Sequence, residues 1–96
     1  MQIICRIQEQ LPLQEREYDN RQTGQREKFA SMGFKLACGD ESFYAEMVQE
    51  QARKQPQLDK QYYHVANVRL RERSWQDTSG QIHHQTDVQL LSIAPL

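Results

Sequence analysis

The sequence predicts a single all-β domain with one short helix, and three observations point there. Apolar and polar residues alternate at period two through most of the chain, as in Ile3, Cys5 and Ile7 or Ala30, Met32, Phe34 and Leu36. Clusters of turn formers separate the alternating runs at Asp19–Gln25, Gly39-Asp40 and Asp77–Gly80. One segment, Glu46 to Lys54, instead carries good helix formers without glycine and stops before Pro56. At 96 residues the chain has room for one core and not for two.

The first run extends from Ile3 through Cys5, Ile7, Leu11 and Leu13 on one parity, broken only by Glu9. Pro12 cannot donate to a ladder, so it marks a bulge or an edge position. The first turn, Asp19 to Gln25, follows because Asn and Asp side chains bond their own backbone and Gly24 tolerates positive φ. The second run places Ala30, Met32, Phe34, Leu36 and Cys38 on one face, with Phe29, Ser31, Gly33, Lys35 and Ala37 on the other. Ser42 to Val48 is a short aromatic strand, and the helix comes next. The fourth strand runs from about Tyr62 to Trp75 and the fifth from about Ile82 to Ala94. The order is β-β-β-α-β-β, which predicts a five-stranded antiparallel Greek-key barrel of the OB-fold type spanning residues 1–96. Immunoglobulin-like and lipocalin-like architectures need more strands than this chain supplies.

In pattern the chain resembles the small OB-fold single-stranded DNA-binding proteins of bacteria, the single-strand-binding and primosomal types, over nearly its whole length. The resemblance rests on the opening Gln2-Ile3-Ile4-Cys5-Arg6-Ile7 and on the Thr23-Gly24 loop leading into a strand that ends Phe34-Lys35-Leu36. It also rests on the late hairpin Val68 to Trp75, Gly80, and Val88 to Ile93. It implies binding of single-stranded DNA in replication, recombination or mobile-element maintenance. Proteins of this kind usually carry a tail with an acidic tip that recruits partners. Here the sequence closes Ile93-Ala94-Pro95-Leu96, so the expectation is DNA binding without that recruiting tail.

Twelve Lys and Arg against thirteen Asp and Glu give a net charge of -1, and fifteen glutamines help to hold the mean hydropathy at -0.89. That balance excludes a polybasic protein that binds phosphate through bulk charge, so any anion site must come from clustering. The informative cluster is the fourth strand. One parity, Tyr62, His64, Ala66, Val68 and Leu70, suits a core face. The other carries Tyr63, Val65, Asn67, Arg69, Arg71, Arg73 and Trp75. Alternate residues of an extended strand stand about 6.6 Å apart, close to the phosphate spacing of a single strand. Arg69, Arg71 and Arg73 then serve as a phosphate track and Trp75 as a stacking plane, the pairing that single-strand binders use. Lys28, Lys35 and Phe29 extend the surface on the second strand, together with Arg26, and Arg21 does so in the first loop. Tyr18 lies beside that loop. The competing expectation is a protein-interaction or oligomerisation module whose arginines pair with acids.

Of Phe43, Tyr44, Tyr62 and Tyr63, adjacent pairs put one ring on each strand face, so two rings are expected in the core. The outward rings serve bases or a subunit contact, and a homodimer or higher homo-oligomer is expected. His83 and His84 are adjacent and point to opposite faces, which argues against a shared metal. Cys5 and Cys38 lack ligand spacing and read as small core residues. No nucleophile elbow or phosphate-cradling glycine loop is present, so neither catalysis nor a cofactor is expected. Met1–Ile7 shows no export signal, and two unpaired thiols suit the cytoplasm. Single-stranded DNA is the expected partner, with RNA the alternative nucleic acid.

Overall fold

The computed structural model describes all of residues 1–96. It contains six strands and one helix: β1 (Gln2–Gln10), β2 (Gln14–Asp19), β3 (Arg26–Cys38), β4 (Glu41–Val48), α1 (Gln49–Lys54), β5 (Tyr63–Gln76) and β6 (Ile82–Pro95). The strands form one sheet in the order β1-β5-β6-β4-β3-β2, and an additional β1–β3 pairing joins β1, β5, β6, β4 and β3 into a ring of five. β2 lies outside the ring and pairs with β3 alone.

Two expectations need correction. The sheet is mixed rather than wholly antiparallel, because β4 and β6 run parallel where Glu46 faces Gln89. The chain leaves β4 through α1 and returns up β5, so the β5–β6 hairpin delivers β6 alongside β4 in the same direction. The strand count is six rather than five because Pro12 ends a ladder instead of bulging within one. Leu11 N still donates to Gly33 O at 2.8 Å, Pro12 has no N–H to continue, and pairing resumes only at Gln14.

The bulge expected near Pro12 falls four residues earlier. Between Ile7↔Leu36 and Glu9↔Lys35 the β1–β3 register slips, leaving Gln8 as the extra residue. The slip reverses the parity of β1. Cys5 and Ile7 are buried before it, and Gln10, rather than Glu9, stands opposite Phe34 after it. Glu9, the break in the alternation of the sequence, is the trace of this bulge. Gln10 uses its inward position to fasten the segment after α1: Nε2 donates to Pro56 O at 3.1 Å, and Oε1 accepts from Leu58 N at 2.9 Å.

The core follows the predicted parity of β3. Met32, Phe34 and Leu36 are buried with Cys5 and Ile7 from β1, Ala45 and Met47 from β4, Ala66 and Val68 from β5, and Leu90 and Ile93 from β6. Leu90 and Ile93 are three apart yet share the core, because the β5–β6 register slips at Leu91. The helix is shorter than expected, since Glu46–Val48 belong to β4. It begins at Gln49, whose φ of 57° turns the chain sharply, and whose Oε1 accepts from Ala30 N at 3.2 Å. Ala52 carries α1 into the core. Cys5 is a core residue, whereas Cys38 is half-buried. Of the four paired aromatics only Phe43 packs against the core, and Tyr44, Tyr62 and Tyr63 are exposed.

Two hairpins project beyond the ring. β5 and β6 pair only with each other from Leu70 to Gln76 and from Ile82 to Val88, and β2 with the start of β3 forms a second arm. A rounded chain of this length has a radius of gyration of about 12 Å. The observed 15.8 Å, with extents of 43 × 35 × 20 Å, is the signature of the arms.

Truncating Phe34, fully buried in the middle of β3, to Ala is expected to cost about 3–5 kcal/mol in urea unfolding. Leu70→Ala, on the predicted core parity of β5 but 56% exposed on the arm, is expected to stay within about 0.5 kcal/mol.

Candidate nucleic-acid interface

Strand alternation puts Arg69, Arg71, Arg73 and Trp75 on one face of β5, and all four are exposed. Their cross-strand neighbours on β6 are Gln89, Asp87, Gln85 and His83. The opposite face of the arm carries Leu70, Glu72, Ser74 and Gln76. The arginine face looks onto an open groove of about 820 Å³ between the arm and strands β3 and β4. Phe29, Tyr44, Glu46, Arg71, Arg73 and Asp87 are among the residues that line it.

Phe29 is half-buried and absent from the core cluster, so it is a groove wall and not a core plug. Lys35 is exposed on the same face of β3, opposite Tyr44, and continues the surface without lining the groove. Lys28 has the other parity and stands across from Glu17 on the second arm. Arg21 is exposed in the loop at the end of that arm. Phe29, Arg71 and Arg73 are thus brought together, Arg69 and Trp75 extend the line along β5, and Lys28 and Arg21 lie apart. The arm that holds them is fastened by its own polar contacts: Arg26 pairs with Glu17 at 3.3 Å, and Glu27 accepts from Tyr18 Oη at 2.9 Å and Asn20 Nδ2 at 3.1 Å.

Tyr44 is the principal groove residue that the sequence reading left ambiguous. Its ring lies across Gly33 on the neighbouring strand. A Cβ at Gly33 would fall 2.7 Å from Cε2 and 2.8 Å from Cζ of that ring, so only glycine lets the ring lie flat on the sheet. The other side of the ring is open, with Tyr44 53% exposed. A glycine inside an otherwise alternating strand is the available signal, since it marks close approach by another group. Tyr44 Oη sits 3.5 Å from Glu46 Oε2. Burial, then the charge of Glu46, raises the phenol above its usual range.

The charges of the groove are mixed. Arg73 Nε meets Asp87 Oδ2 at 2.7 Å, in an exposed pair that contributes little to stability. Arg69, Arg71 and Lys35 have no acid within 4.0 Å and are free to meet an anion. Glu46 likewise lacks a cation partner. The acids Glu46 and Asp87 were not among the residues that the sequence pointed to, because nothing in strand alternation alone says which strands lie side by side.

At the tip of the arm, Asp77 organises the turn. Its Oδ1 accepts from Ser79 Oγ at 2.6 Å, Ser79 N at 2.9 Å and Gln81 N at 3.0 Å. Gly80, at φ 87°, closes the loop with its N–H on Asp77 O. Asp77 Oδ2 takes a bond from His83 Nε2 at 2.7 Å, and the His83 ring stacks on Trp75, with centroids 5.5 Å apart and planes within 19°. The turn thereby sets the plane of Trp75. His84 points the other way, toward Ser74 Oγ at 2.9 Å. The Ser79 hydroxyl first, then His83 and the Gln81 amide, hold the Asp77 carboxyl down at about 2.

No protein-family model matches the chain, and no curated protein matches it.

Because the folded-state value of Asp77 lies below its ordinary value of 3.8, its contribution to the turn is complete above that pH. It is expected to fade as pH falls through about 2, read as loss of the distinctive amide shifts of Ser79 and Gln81, and Asp77→Ala should lose those shifts at neutral pH. Gly33→Ala is expected to lift the Tyr44 ring off the sheet, seen as loss of ring-current shifts on β3 with strand content unchanged by circular dichroism.

Proposed function

We propose that this protein is an OB-fold barrel that binds single-stranded DNA in the groove between its β5–β6 arm and strands β3 and β4. The ring order and the helix between β4 and β5 support the fold reading: β1 and β2 count as one long strand broken at Pro12, and the remaining strands follow the Greek-key connection. The observation that carries the function is the groove itself, which sets the unpaired Arg71 and the Asp87-paired Arg73 along one wall and the exposed Tyr44 ring with the half-buried Phe29 along the other. Phosphates run along Arg69, Arg71 and Arg73 while bases turn inward over Tyr44 and Phe29 and outward at Trp75. Most of the bound strand is held with little sequence preference, since stacking accepts every base. RNA is the alternative ligand of the same groove. The cytoplasm and a homo-oligomeric state belong to this reading. No helix is long and apolar enough to cross a membrane.

A second reading has its own observation. Met1, Ile3, Leu70 and Val88 line an apolar recess of about 210 Å³ on the far side of the arm, with Ile4 and Ile82 exposed on the same molecule. That surface favours a protein-interaction or self-association role.

Arg71→Ala is expected to weaken binding of all single strands alike and to flatten the plot of log affinity against log salt by roughly 0.7. Arg73→Ala should flatten it less, because Arg73 must first leave Asp87. Trp75→Ala should cost about 1–3 kcal/mol with the salt slope nearly unchanged. Titration of labelled oligonucleotides at several salt concentrations separates the three. Wild-type protein that ignores single strands at low salt, while sedimenting as an oligomer through the apolar recess, would favour the second reading.

A further inference from the structure

We infer that Glu46 reads the edge of the base stacked on Tyr44, giving the groove a preference for bases that present an exocyclic amino group. The inference rests on the groove being a single-strand site, and it explains a feature that phosphate binding does not. Glu46 lies on β4 between Gly33 of β3 and Gln89 of β6, on the floor of a groove whose walls carry arginines and aromatics. Its carboxylate has no cation within 4.0 Å and only the Tyr44 hydroxyl nearby, at 3.5 Å. A bare carboxylate repels phosphate, so the backbone of the ligand is kept to the β5 wall, where Arg69 and Arg71 are unpaired. What reaches the floor is a base.

The geometry then selects which base. The Tyr44 ring lies flat over Gly33 with its hydroxyl end toward Glu46, so a base stacked on the open ring face brings one edge to the carboxylate. An ionised carboxylate only accepts hydrogen bonds. Cytosine offers its N4 amino group to such an acceptor, whereas thymine presents O4 at the same position and is repelled. The side-chain amide of Gln89 lines the same groove and can meet a polar base edge, while Asp87 is held by Arg73 at 2.7 Å and by Gln85 Nε2 at 2.9 Å. The two pyrimidines make the cleanest comparison because both stack weakly on themselves.

The test is fluorescence anisotropy with labelled oligo-dC and oligo-dT of about twelve nucleotides, within the site sizes that one such domain covers, at neutral pH and low salt. Wild type is expected to bind oligo-dC about tenfold more tightly than oligo-dT. Glu46→Gln removes the charge but keeps the shape, and an amide can meet either base; it should bring the ratio close to one, mainly by tightening oligo-dT. The ratio is the readout, so a uniform gain from removing a negative charge does not imitate the result. Equal wild-type affinities for the two oligonucleotides, or a ratio that survives Glu46→Gln, would overturn the inference while leaving single-strand binding intact. Failure of wild type to bind either one would overturn both together.

Discussion

Everything in this fold depends on β1 serving two ladders at once. Its first half, Gln2 to Arg6, pairs with β5, and its second half, Arg6 to Gln10, pairs with β3. Arg6 belongs to both. The two ladders use opposite edges of the strand, and the extra residue at Gln8 adds twist to the half that pairs with β3. Because β1 joins β3 to β5, it closes the ring and lets the apolar faces of those strands meet in one core. The opposite seam is slight by comparison, a single parallel register pair at Glu46 and Gln89. The same seam forms the groove floor, so the place where the ring is least tightly laddered is also where ligand is proposed to enter.

The core was legible because period two is a direct consequence of strand geometry. Phe34, Leu36, Ala66 and Val68 fall where the alternation put them. The failures are equally physical. Leu70 shares the core parity of β5 yet is exposed, since parity says which face a residue takes and not how far the ring extends beneath it, and Tyr62 falls in the bend before the strand begins. Glu9 was visible as an irregularity, but a bulge and a polar interruption look identical until the partner strand is known. Glu46 to Val48 have respectable helix propensity and were taken by β4, where pairing with β3 outweighs differences of a few tenths of a kcal/mol per residue.

The candidate site divides along the same line. Arg69, Arg71, Arg73 and Trp75 lie on one strand, and residues on one strand can be grouped from sequence alone. Tyr44, Glu46 and Asp87 join them only through strand neighbours far apart in the chain. Gly33 is the exception: a glycine amid Met32, Phe34 and Leu36 is a local anomaly with a long-range cause, the ring laid over it. Lys28 shows the converse hazard, a cation adjacent in sequence to Phe29 and on the other side of the ribbon from it.

The arms hold a different thermodynamic position from the ring. From Leu70 to Val88 the β5–β6 hairpin has no third strand, and a two-stranded ribbon in water is marginal on its own. Its amides therefore open by local fluctuation while the amides of β1 and of Ser31 to Cys38 in β3 exchange only when the domain unfolds as a whole. Hydrogen exchange would divide the molecule into a slow ring and two fast fingers. The groove lies against a finger, so its width is an average over fluctuating positions, and an occupant that bridges the arm to β4 would slow exchange along the hairpin well beyond the residues it touches.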